Sequence, residues 1–147
     1  MYNYVLLLHV LAATIWTGGH LVLAIAILPR VLRQRDPGAL RNFESAYERV
    51  GMPALLVQVV SGLWMAHAIV PDLTSWFSFS NPTSQLILLK LALLGATVAT
   101  ALDTCLRIVP NLSQQNLPAM ARRIAFITLL SVGFVIVGVS FRTGLVS

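Results

Sequence analysis

The sequence predicts an all-α integral membrane protein built as an antiparallel four-helix bundle, and three observations carry that expectation. Of its 147 residues, 57% are hydrophobic and 10% charged, whereas soluble domains carry about 25% charged residues. The mean hydropathy is +0.82. Four long apolar stretches, at about residues 4–28, 51–70, 84–109 and 124–141, each reach the length of about 20 helical residues that a hydrocarbon core about 30 Å thick requires. Together they predict a single four-transmembrane-helix domain over residues 1–147 and exclude a water-soluble fold.

The first stretch follows Met1-Tyr2-Asn3-Tyr4, which offers no basic region, and it is longer than the apolar core of a signal peptide. It therefore reads as a retained helix, ended by Pro29. Asp36-Pro37-Gly38 marks a turn. Residues 39–49 then predict a short amphipathic helix, with Leu40, Phe43 and Tyr47 directed toward the membrane. Pro53 is expected in the first turn of span two, where a missing N–H costs little, and Pro71 closes that span. Asn81-Pro82-Thr83-Ser84 carries capping residues that open span three, and Pro110-Asn111 closes it. Pro118 is expected to start a turn at the interface ahead of span four. Short connections imply up-down-up-down neighbours.

The net charge of +5 and the pI near 10.4 have a topological meaning here. Arg30, Arg33, Arg35, Arg41 and Arg49 lie between spans one and two, and Arg107, Arg122 and Arg123 flank the connection between three and four. The positive-inside rule makes those connections cytoplasmic. The 71–83 loop, with Asp72, Trp76, Phe77 and Phe79 and no Lys or Arg, is then external, as are both termini. These features predict a multi-pass protein of the cell's inner (plasma) membrane with its termini on the periplasmic side. Its partner is the lipid bilayer, and the arginines serve as anchors rather than as a nucleic-acid surface.

Polar side chains inside the spans carry the functional signal. His9, Trp16 and His20 fall within about 40° of one another on one helix face, but His9 and His20 are about 16 Å apart along the axis, too far to share a metal. Taking each span's middle as the bilayer centre, His9 lies about 10 Å, and His67 and Lys90 about 9 Å, toward the external face, with Arg142 nearer the interface. A buried Lys90 needs either to snorkel or to meet an anionic group such as a propionate or a substrate carboxylate.

Two imidazoles from facing helices can hold a b-type haem. They can equally bind copper, with Met65, Met1 or the terminal amine as co-ligands. Trp16 and Trp64 would cover a macrocycle and Gly18 and Gly19 would let a flat group approach, although ordinary packing accounts for all four as well. Gly95 and Ala99 form a small-xxx-small pair suited to helix contact. Asp103 and Arg107, at i and i+4, are expected to neutralise each other, with Arg123 or a proton path through His20 as alternatives. The lone cysteine, Cys105, reads as a small packing residue. No phosphate loop, nucleophile elbow or CxxC is present, which disfavours hydrolysis and leaves redox chemistry or metal movement; the sequence assigns no catalytic residue.

The run Leu8-His9-Val10-Leu11-Ala12-Ala13-Thr14-Ile15-Trp16-Thr17-Gly18-Gly19, with Leu28-Pro29-Arg30, resembles the first helix of the CopD copper-resistance membrane domain. Ser61-Gly62-Leu63-Trp64 and Leu88-Leu89-Lys90-Leu91-Ala92-Leu93 resemble that family's second- and third-helix signatures. The order of His, Trp seven residues later, and Lys early in helix three is also similar to the HemJ four-helix protoporphyrinogen oxidases, which are thought to carry haem b. The resemblance spans about residues 6–110 and implies cofactor or metal handling.

The leading expectation is a membrane haem b redox protein. In it His9 and His67 ligate the iron, Lys90 and Arg142 receive propionates, and Trp16 and Trp64 pack on the ring, with electron exchange to a redox partner or quinone. The alternative is a copper-binding or copper-transporting CopD-like protein using His9 and His67. A third reading is a structural subunit of a membrane complex. Assembly into a homo-oligomer is left open.

Overall fold

A computed structural model describes residues 1–79 and 81–143. The carboxyl-terminal stretch expected outside the membrane therefore lies beyond the described residues from position 144 on. Among the described residues four helices are long and apolar enough to cross a membrane. They are α1 (Tyr2–Gln34), α2 (Pro37–Ile69) and α4 (Pro82–Ile108), and α5 (Leu117–Thr143). A short α3 (Leu73–Trp76) lies in the connection between α2 and α4. The all-α membrane bundle is thus the observed fold.

The helices overrun the expected boundaries, and the prolines explain how. Pro29 does not end α1. A π turn over Leu23–Ile27 precedes it, with the Leu28 N–H donating to the Leu23 carbonyl, and the helix continues to Gln34. Proline can neither donate to the carbonyl four residues back nor tolerate its closeness. The wider π turn relaxes that clash. The same device recurs in α4, where a π turn over Thr104–Ile108 leads to a 3-10 turn containing Pro110.

At 33 residues each, α1 and α2 are about 50 Å long, longer than the hydrocarbon core, so their arginine-bearing ends extend beyond it. The reversal between them takes only Arg35, in the left-handed region at φ 48°, and Asp36, whose carboxylate accepts from the Ala39 N–H at 3.2 Å. Pro37 is the first residue of α2, and Pro53 lies well inside that helix. The separate amphipathic helix expected at 39–49 is the first third of α2. Leu40 is fully buried, and Phe43 packs on the core, so this face meets the bundle and not the lipid.

The caps at the other end follow the sequence more closely. Asn81 Oδ1 accepts from the Ser84 N–H at 2.9 Å, opening α4. Asp72 accepts from Thr74 and Ser75, opening α3. Trp76 is buried and donates from Nε1 to the Val70 carbonyl at 2.8 Å. Phe77 and Phe79 remain exposed, as an aromatic interfacial loop requires.

Helix α1 lies against both α2 and α5, and α5 lies against α4. The apolar core is densest at the arginine-rich end, where Leu23, Leu28, Val31, Leu40, Leu112, Leu117, Met120 and Ile124 cluster. Arg41 ties this end together by donating to the Leu112 carbonyl at 2.7 Å. Close approach of α4 to α5 falls on Gly133, against Leu93, and Gly138, against Lys90. Gly95 has open space beside it instead, so the expected small-residue contact sits on the opposite partner helix.

Candidate functional site

The embedded polar residues fall into two layers. At the end carrying residue 2, His9 Nδ1 stands 2.8 Å from Ser61 Oγ. That hydroxyl donates to the Val57 carbonyl at 2.6 Å, so it accepts from the ring, and His9 carries its proton on Nδ1. Nε2 is left with its lone pair, the tautomer a metal requires. Gly62 makes room for this ring, since a Cβ there would stand 3.1 Å from His9 Cε1. Lys90, on α4, lies against Gly138 of α5, with Nζ 3.6 Å from where a Cβ would be.

His67 is not brought to this layer. It is exposed and lies six residues past Ser61, which places it about 9 Å further along α2 and about 120° around it. The depth match rests on span midpoints, whereas in the bundle His9 faces Ser61 and Gly62. The structure therefore does not bring the two imidazoles into one layer. Trp64 is 41% exposed and packs beside Tyr2 at a tilt, with ring centroids 6.1 Å apart. Arg142 is exposed in the last turn of α5. Trp16 is buried in the second layer, far from Trp64 along the bundle.

That second layer, toward the arginine-rich end, is a cleft lined by Trp16 and His20 of α1, Glu44, Tyr47, Glu48 and Met52 of α2, Cys105 and neighbours of α4, and Met120 of α5. His20 is 7% exposed and donates from Nδ1 to the Trp16 carbonyl at 2.9 Å, again leaving Nε2 unprotonated. Its ring centroid lies 4.5 Å from that of Trp16 and 5.5 Å from that of Tyr47.

Tyr47 holds this layer in place. Its hydroxyl donates to the Trp16 carbonyl at 2.9 Å, with the Ile15 carbonyl at 3.1 Å, and its ring fits a slot between Gly19 and Gly51. A Cβ on Gly19 would stand 2.1 Å from Tyr47 Cε2, and one on Gly51 would stand 2.8 Å from Cε1. The flat group that approaches Gly19 is thus Tyr47 itself, while Gly18 faces open space.

Across the cleft, Cys105 Sγ donates to Glu48 Oε1 at 3.5 Å, so the cysteine has a polar role besides packing. Nearby, Asp103 pairs with Arg107 at 3.2 Å and with Arg123 at 2.5 Å, joining α4 to α5. Both expected arginine partners are therefore engaged. The sequence reading overlooked the cleft because its members come from four helices with no short-range spacing. The stripe Glu44, Glu48, Met52 on α2, at i, i+4 and i+8, was the only local signal.

Among the described residues no three His, Cys, Asp or Glu side chains stand close enough to hold one metal ion. A family profile described as Copper resistance protein D matches residues 37–144. The match runs from the start of α2 to the end of α5, and His9, Trp16 and His20 precede it. No match was found among the curated proteins or the solved structures.

Proposed function

Because the chain belongs to the copper resistance protein D family, we propose that it binds copper within the membrane bundle and moves the ion between the two faces. The family match over three of the four spanning helices is the observation that carries this reading. An ion crossing a hydrocarbon core needs donors inside it, since an unpartnered charge there costs about 2.5–3.5 kcal/mol or more. His9 and His20 supply imidazoles about 16 Å apart along α1. Each holds its proton on Nδ1 through a local acceptor and keeps Nε2 available, so they suit successive stations for a metal.

The arginine-rich end faces the cytoplasm of an inner-membrane protein on this reading, and the 71–83 loop faces outward. Expression in a copper-sensitive bacterial host should change cellular copper content and copper tolerance while zinc content stays constant. His9→Ala should diminish the change. Copper content indistinguishable from that of cells carrying an empty vector would overturn the proposal.

A further inference from the structure

We propose that the groove between the carboxyl end of α1 and the amino end of α5 binds the headgroup of one anionic phospholipid, with Arg35 meeting its phosphate. The groove has a volume of about 420 Å³ and is lined by Leu32 and Arg35 at the end of α1, Gln114 and Gln115 of the connection, and Leu117 and Pro118 of α5. The site does not depend on the copper reading. It is a single seat for one lipid, distinct from the diffuse attraction that all the arginines at this end exert on a membrane.

Depth and wall chemistry favour a lipid. Arg35 lies five residues past Arg30, the first basic residue beyond the apolar stretch of α1, and Leu117 lies five residues before Arg122, which leads into the apolar stretch of α5. Five helical residues rise about 8 Å, and the headgroup layer on each side of a hydrocarbon core about 30 Å thick is about 5–8 Å deep. With those arginines at the hydrocarbon edge, both walls of the groove stand at headgroup depth. Leu32, Leu117 and Pro118 supply an apolar wall for the glycerol and the first methylenes, which a free phosphate does not need.

The charges favour an anion. Eight arginines share this end with four acids, Asp36, Glu44, Glu48 and Asp103. Among the described residues Asp103 takes Arg107 and Arg123, Asp36 accepts from the Ala39 N–H, and no carboxylate pairs with Arg35. Helix α5 carries no acidic residue in its first turn, and Asn116 Oδ1, just before it, accepts from the Ser113 N–H at 2.7 Å. The positive end of the α5 dipole therefore adjoins the groove without an acidic side chain to offset it.

The backbone of Arg35 is the independent observation. It stands in the left-handed region, at φ 48°, the one non-glycine position there among the described residues, at a helix end where Gly or Asn is usual. Gln114 Nε2 donates to its carbonyl at 3.2 Å, which fastens this strained turn to the far side of the groove. A long cation kept at a position that favours glycine is an outlier that a binding role explains.

The test is native mass spectrometry of the detergent-purified, delipidated full-length protein, titrated with phosphatidylglycerol or with phosphatidylcholine of the same acyl chains. The wild type should take up one phosphatidylglycerol per chain saturably, and phosphatidylcholine at least about fivefold more weakly. Arg35→Gly suits the left-handed turn and keeps the carbonyl that Gln114 bonds, so it retains the fold; it should bind phosphatidylglycerol at least about tenfold more weakly. Arg33→Gln removes an equal charge two residues away, outside the groove, and should bind as the wild type does.

Undiminished phosphatidylglycerol binding by Arg35→Gly, or an equal loss in Arg33→Gln, overturns the site in favour of diffuse charge attraction. Glycerol 1-phosphate competing as tightly as the intact lipid overturns the lipid as its occupant.

Discussion

Tyr47 shows how much of this bundle depends on single side chains. Its single hydroxyl proton is shared between two α1 carbonyls while Gly19 and Gly51 admit its ring, so the ring has little room to accommodate a new methyl group. Gly19→Ala should lower stability by about 1–3 kcal/mol through overpacking. Gly18→Ala, facing open space, should leave it unchanged or slightly raised. Thermal unfolding in detergent compares the two. A second residue-scale expectation concerns Asp72, whose carboxyl is held below the usual range by the Thr74 side chain and backbone N–H and by the Ser75 hydroxyl. A carboxylate with a depressed folded pKa contributes order that is fully present above its unfolded value and is lost as pH falls through the folded value. The fluorescence of Trp76, measured with Trp16 and Trp64 replaced by phenylalanine, should therefore stay constant from neutral pH to about pH 4 and change only below it. A change centred near neutral pH would contradict this.

At the scale of elements, the pairings of Asp103 join α4 to α5 unequally. Arg107 is 81% exposed and Arg123 38%, so water screens the first pair more. A double-mutant cycle with Asp103→Asn should give a larger coupling to Arg123, about 1 kcal/mol, than to Arg107, at a few tenths. Equal couplings would refute that ranking. The helices themselves were legible from apolar length alone, as were the turn at Asp36 and the cap at Asn81, because these signals are local. The ends were not. Pro29 and Pro53 carry the signature of helix boundaries, yet α1 absorbs the first with a π turn and α2 continues through the second. Tertiary packing of Leu23, Leu28 and Leu40 holds those extensions, and a rule about one residue and its neighbours cannot register it.

For the whole molecule, the candidate site was only partly legible for a related reason. Matching depths from span midpoints paired His9 with His67, but midpoints of apolar runs do not fix the register at which two helices pack. His9 instead meets Ser61. The cleft containing His20, Met52, Cys105 and Met120 depends on how four helices pack, which no spacing along the chain encodes. The proposed orientation rests on composition instead: eight arginines fall at one end. A cysteine placed in the 71–83 loop of a Cys105→Ser variant should react with an impermeant thiol reagent on intact cells, and one placed at 111–117 should not; the reverse pattern would invert the topology. The central claim, that this bundle handles copper, is tested most directly by metal analysis and the optical spectrum of protein purified from copper-supplemented cells. The account predicts copper bound to a protein without a haem absorption band. Stoichiometric haem b, with a sharp band in the reduced state and no retained copper, would contradict it.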